Sequence, residues 1–222
     1  NVAGGIPQDP SVFTLTINAS DGSAAADLFI SEYIEGSGNN KYIEIFNGTG
    51  ISVDLSSYAL RQYNNVSSTA TYSLALSGTL AAGDVYVIEN STEALGVAAD
   101  LSTSSAVMTF NGNDAISLAK AGVNIDVVGT IGSGVDFAKD VTKVRKSSVF
   151  QGTATYDSAE WDDYAVDTIS YLGSHVFDGS GGPSDVPPVL ASIGNKSAIW
   201  SNNLSFSVSA ADAVDGDSIV LS

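Results

Sequence analysis

The run Leu28-Phe29-Ile30-Ser31-Glu32-Tyr33-Ile34-Glu35-Gly36-Ser37-Gly38-Asn39-Asn40-Lys41-Tyr42-Ile43-Glu44-Ile45-Phe46-Asn47 constrains the fold of this chain more than any other stretch. Its two ends are rich in isoleucine, phenylalanine and tyrosine, and its centre is polar, with Gly36, Gly38, Asn39 and Asn40 close together. That is the pattern of two β-strands joined by a turn, because β-branched and aromatic side chains suit a pleated surface while glycine and asparagine suit tight connections. Further strands are predicted at Tyr72–Leu76, Val85–Glu89, Ala106–Phe110, Ala115–Lys120 and Val123–Val128. Turn signals separate them at Ala82-Gly83-Asp84, Asn111-Gly112-Asn113-Asp114 and Ala121-Gly122. No interval carries an amphipathic helical pattern longer than about three turns. The piece Ser91–Leu101, with Ser91 as N-cap and Glu93 in the first turn, predicts one or two helical turns. The fold class is therefore all-β.

The chain has 222 residues, more than the roughly 100 of a single sandwich domain. Twenty-five acidic against eight basic side chains give a net charge of -17, a field that repels phosphate backbones and anionic lipid heads. Nucleic acid is thereby excluded as a partner of the isolated chain. The hydrophobic fraction of 44% supports a packed core of many short strands. No cysteine is present, which removes disulfides, thiolate metal sites and a cysteine nucleophile. No run of about 18 apolar residues occurs, so no transmembrane segment is expected. Residue 1 is Asn with no charged-then-apolar leader, and the chain reads as an excised piece of a longer secreted protein, extracellular or on a cell surface. Asn-x-Ser/Thr occurs at Asn18, Asn47, Asn65, Asn90, Asn195 and Asn203, which chance explains in a chain this rich in Asn, Ser and Thr.

The opening hairpin resembles that of the bacterial lamin-tail domain, and the resemblance continues in order. It runs through Val53-Asp54-Leu55-Ser56-Ser57-Tyr58, then Gly78-Thr79-Leu80-Ala81-Ala82-Gly83-Asp84-Val85-Tyr86-Val87-Ile88, then Asn111 to Leu118 and Asn124 to Gly129. Thr142 to Lys146, Glu160-Trp161 and Asp167 to His175 match the closing strands. The loop Ile131 to Asp140 departs from the family in having no tryptophan. The resemblance covers about residues 27–177 and implies an immunoglobulin-like β-sandwich. It also implies a non-catalytic module, of a kind found in secreted and cell-surface proteins beside nucleases, phosphatases or adhesive repeats.

Flanking β segments are expected on both sides. Residues 12–18 alternate apolar and polar, a half-buried strand, so residues 1–26 form a lead-in that ends a preceding domain or adds a strand to the sandwich. After Phe177, residues 178–188 are rich in Gly, Ser and Pro and predict an interdomain linker. Residues 189–222 resemble the truncated start of a cadherin-like or immunoglobulin-type repeat, too short to close a core alone.

Few residues invite chemistry. Glu32 is in phase with Leu28, Ile30 and Ile34, which puts its carboxylate on the apolar face of a strand, where it needs a partner. The predicted partner is Lys or Arg from a neighbouring strand, the rival role being a general acid or base. Glu35 and Glu44 lie on the same hairpin without an activated nucleophile at a recognisable spacing. His175, the sole histidine, lacks a Gly-x-Ser-x-Gly elbow to serve and is read as a packing or surface residue. Lys139, Lys143, Arg145 and Lys146 form a basic strip, expected to pair with carboxylates rather than to bind phosphate or polysaccharide. Trp161, Tyr156, Tyr164 and Tyr171 offer either core packing or a sugar platform. No catalytic set can be assembled from these residues.

For metal, the turn Asp212, Asp215, Asp217 resembles the Asp-rich calcium turn of cadherin-like repeats, though one residue off its spacing. Asp157, Glu160, Asp162, Asp163 and Asp167 make a second acidic group, read as a solvated loop. No cofactor is required by the sequence; calcium is the one candidate, and since it takes about six to eight oxygen ligands, the turn at Asp212, Asp215 and Asp217 would need further ligands from the linker or a following domain. The expected role is a non-catalytic module that anchors, spaces or binds a target. Its partners are then adjacent domains of the same polypeptide and an extracellular protein or polysaccharide. The alternatives are an accessory domain of an extracellular nuclease or phosphatase, and a carbohydrate-binding module.

Overall fold

The computed structural model describes residues 24–177 and the short strands Ile17–Asn18, Val189–Leu190, Ala210–Ala211 and Val220–Leu221. In chain order the strands are β1 (Ile17–Asn18), β2 (Phe29–Glu35), β3 (Lys41–Phe46), β4 (Val53–Asp54), β5 (Tyr58–Tyr63), β6 (Tyr72–Ala75), β7 (Thr79–Leu80) and β8 (Val85–Asn90). They continue with β9 (Leu101–Thr103), β10 (Ala115–Lys120), β11 (Val123–Val128), β12 (Val141–Arg145), β13 (Trp161–Ala165), β14 (Val189–Leu190), β15 (Ala210–Ala211) and β16 (Val220–Leu221). Two compact units result, one of residues 22–182 and one that combines residues 1–21 with 183–222. Within the second, β1 pairs antiparallel with β16, and β14 with β15.

The larger unit is an immunoglobulin-like sandwich. One sheet has the order β13-β12-β2-β3-β8-β9 and the other β11-β10-β5-β6. All their pairings are antiparallel except β8 with β9. The space between the sheets is filled from one side by Leu28, Ile30, Tyr33, Ile43 and Ile45 and from the other by Leu60, Ile116, Leu118 and Val128. The stretch expected as a strand at Ala106–Phe110 is instead a 3₁₀ turn, Ala106–Thr109, capped by the Ser105 hydroxyl. It touches strands of both sheets, so Val107, Met108 and Phe110 serve as a plug in the shared core. Apolar content without strict alternation is what a fully buried turn and a fully buried strand have in common.

The helical turn expected over Ser91–Leu101 does not form; residues 91–100 are turns and irregular chain that lead into β9. The side chain that organises this loop is Asn90, whose amide oxygen accepts from the Thr92 N–H and hydroxyl. Likewise only Trp161–Ala165 of the closing segment is a strand, and residues 166–177 run on as turns and irregular chain. This tail and residues 95–99 cover the second face of the six-stranded sheet. Phe29, Ile34, Tyr42, Phe46, Val85 and Val87 pack there against Leu95, Val97, Ala99, Ile169, Leu172 and Phe177. Every residue of β2 and β3 is consequently buried. A large apolar side chain contributes about 1.5–3 kcal/mol when fully buried, and the partly buried Ile169, Leu172 and Phe177 of the tail contribute less than that each.

The loop before β12, which lacks a tryptophan, packs through Phe137. Its ring lies 5.8 Å from that of Tyr33 and 5.4 Å from that of Tyr156. The loop sits so tightly on Gly112 that a Cβ there would come within 2.3 Å of the Lys139 backbone. The Gly112 carbonyl accepts from the Phe137 and Ala138 N–H groups.

An ion pair joins the two sheets. Asp126 of β11 accepts two bonds from one Arg145 terminal nitrogen, 2.9 and 2.8 Å, with both side chains almost fully buried. Asp126 also accepts from the Ile30 N–H at 2.7 Å and the Thr153 N–H at 3.0 Å. Removing one member of a buried pair strands the other charge, so Asp126→Ala should cost about 3–5 kcal/mol in urea unfolding. Lys146→Ala, which removes an exposed pair at 3.8 Å to Asp162, should cost less than about 1 kcal/mol.

Candidate functional site

The residues that most resemble chemistry gather on the covered face of the six-stranded sheet, and a β-bulge puts them there. Ile30 faces Ile45 and Glu32 faces Glu44, so β2 carries one residue more than β3 at this point. The extra residue is Ser31, and it turns the strand by one position. Leu28 and Ile30 therefore point into the sandwich while Glu32 shares the covered face with Phe29 and Ile34. The simple alternation that grouped Glu32 with Leu28 and Ile30 is corrected by this bulge. Ser31 lies close enough to Glu44 to donate its hydroxyl to Oε1 at 2.7 Å, and the Gly173 N–H of the tail donates to Oε2 at 2.7 Å.

Glu32 has no such company. It is 1% exposed, and neither of its carboxylate oxygens has a hydrogen-bond partner. The sequence predicts a lysine or arginine partner, and among the described residues none bonds to it: Lys41 pairs with Glu35, Lys120 with Asp27, Lys143 with Asp163, and Arg145 with Asp126 and Glu160, so that expectation is corrected. Burial, reinforced by the charge of Glu44, pushes the Glu32 carboxyl up to about 9. Burial also raises Glu44, which its bonds from Ser31 and Gly173 oppose. Two carboxyl groups thus stand opposite each other in register, and among the described residues no basic side chain bonds to Glu32.

His175 lies in the same tail, with its ring 5.7 Å from Phe29 and 5.0 Å from Phe46. Its Nε2 has no partner, and burial, aided by Arg145, holds its pKa down to about 4. It is a packing histidine, as expected from the sequence. A pocket of about 220 Å³ lies against it, lined among others by Val144, Ser170, Tyr171 and Ser174.

The remaining candidates are dispersed. Lys143, Arg145 and Lys146 are each paired with carboxylates, and Lys139 is apart from them on the Gly112 loop. Of the aromatic group, Trp161 is buried against the Arg145 guanidinium at 4.3 Å and Tyr156 packs on Phe137, while the Tyr164 and Tyr171 rings meet at 4.5 Å, tilted by 40°, near the surface. In the second acidic group Asp157 caps a 3₁₀ turn, Glu160, Asp162 and Asp163 hold basic side chains, and Asp167 accepts from Ser37 and Asn40. Asp212, Asp215 and Asp217 lie outside the described residues. Among the described residues no three His, Cys, Asp or Glu side chains converge as a metal site, and no helix is long and apolar enough to cross a membrane. Sequence reasoning missed Ser31, Gly173 and Asp126, for which no local pattern gives a signal.

Opposite pH effects follow from Glu32 and His175. A carboxyl raised above its unfolded value contributes stability below that value and loses it as pH rises toward about 9. A histidine depressed below its unfolded value contributes stability above about 6.5 and loses it as pH falls toward about 4. Metal-free protein should therefore melt at progressively lower temperature from pH 6.5 to 9, and Glu32→Gln should flatten that slope and raise the melting temperature at pH 8. An unchanged slope in the variant would show that Glu32 is not the group responsible.

Comparison with curated proteins gives no match. Among protein families, the model described as Lamin Tail Domain matches residues 21–132, from the lead-in through β11. That span holds the bulged hairpin, the core plug and both sheets' central strands, and the chain belongs to the Lamin Tail Domain family.

Proposed function

We propose that this chain is a non-catalytic module of a larger secreted or cell-surface protein, serving to anchor, space or bind a target. The observation that carries this reading is where the reactive side chains lie. Glu32, Glu44, Asp126 and Arg145 are all buried, and the last two are committed to joining the sheets. A general acid or base must reach the proton that it moves, within about 3 Å or through one water. Carboxyl groups about 1% exposed beneath the tail leave no room for a substrate beside them. An immunoglobulin-like family fold is compatible with the same role. The sandwich also interrupts a second unit in sequence, as an inserted module does.

Incubation of the pure chain with duplex DNA and with p-nitrophenyl phosphate, with and without divalent metal, should release no product. Cleavage that is lost in Glu32→Gln would overturn the reading in favour of a hydrolase.

A carbohydrate-binding role is favoured by one specific observation, the adjacent and partly exposed rings of Tyr164 and Tyr171. Aromatic faces of this kind stack on sugar rings, but Trp161 and Tyr156 are turned into the core and leave a platform of two rings only. Retardation of the chain in polysaccharide-containing gels, abolished by Tyr171→Ala, would select this role over simple spacing.

A further inference from the structure

Glu32 and Glu44 stand opposite each other in register on neighbouring strands, each about 1% exposed. Both oxygens of Glu32 lack a donor, and the one hydroxyl at hand, that of Ser31, is bonded to Glu44. Buried polar groups almost always have partners, and an orphan that persists marks strain, function or an ion. The basic side chains named above are engaged elsewhere, so none neutralises this pair. Asp100 acts on Glu44, and Glu32 on Tyr164, through space, and neither Asp100 nor Tyr164 is a cation; His175 packs on Phe29 and Phe46 of the same face.

We propose that a divalent cation, calcium by its chemistry, binds between Glu32 and Glu44 beneath the tail of residues 166–177. The donors are all oxygen, which suits a hard ion, and two carboxylates match its charge. Because no third acidic side chain converges here, the Ser31 hydroxyl and water complete the shell. The ion replaces the missing donors of Glu32 and, through Glu44 and the Gly173 N–H, ties the tail to the sheet. This inference concerns a structural site and stands whether the module anchors, spaces or binds sugar.

The test uses the full chain, freed of metal with EDTA and then dialysed. Titration calorimetry with calcium chloride should show one ion bound at the sandwich. The melting temperature should rise by roughly 3–6 °C at ten times the dissociation constant, more than with magnesium and well above sodium at matched ionic strength. Glu32→Gln is nearly isosteric and should abolish both the heat and the shift while still melting cooperatively. The triple change Asp212→Asn, Asp215→Asn, Asp217→Asn should leave the Glu32-dependent shift intact. Retention of the full calcium shift in Glu32→Gln, its loss in the triple variant alone, or equal stabilisation by sodium would each overturn the proposal.

Discussion

The Asp126–Arg145 pair is the interaction on which the sandwich depends. A single carboxylate on β11 gathers the guanidinium of β12, the Ile30 N–H of β2 and the Thr153 N–H of the loop before β13. Burial alone would push this carboxyl toward its neutral form; Arg145 and the two N–H groups pull it back. The geometry meets the condition under which a buried ion pair is tolerable, with the anion's lone pairs largely taken up by donors. Arg145 in turn reaches Glu160 and lies over Trp161, so β13 is placed by the same side chain.

This pair and the bulge are one device. In a regular ladder the Ile30 N–H would bond to the adjacent strand, but β12 pairs with β2 only from Glu32 onward. The bulge frees that N–H for Asp126 and, in the same step, turns Ser31 and Glu32 to the covered face. A local insertion therefore serves the inter-sheet joint on one face and creates the unpaired carboxyl on the other.

How much of this could be read in the sequence varied with the range of the interaction. The hairpin Phe29–Phe46, the strands Ala115–Lys120 and Val123–Val128 and their turns were legible because alternation and turn chemistry are local signals. The plug Ala106–Thr109 and the tail 166–177 were not, because a segment buried on a preformed surface needs no period of its own. Glu32 was recognised as anomalous, yet its face and its lack of a partner depend on a register shift at Ser31, which no composition or spacing encodes. Asp126 escaped notice for a similar reason. Its partner is 19 residues away and its role exists only once two sheets are stacked.

The tail over the six-stranded sheet carries a mechanical consequence. It is the last described part of the sandwich before the chain passes to residues 178–188, and it adheres through side chains and a few hydrogen bonds rather than through a ladder. Tension transmitted along the polypeptide from the C-terminal side would load these contacts one after another, as in peeling, whereas β2, β3 and β12 would have to be sheared with all their bonds in parallel. The cover is thus the first layer to yield, and its removal would open Phe29, Phe46 and the two glutamates to water while the sheets remain joined by Asp126 and Arg145.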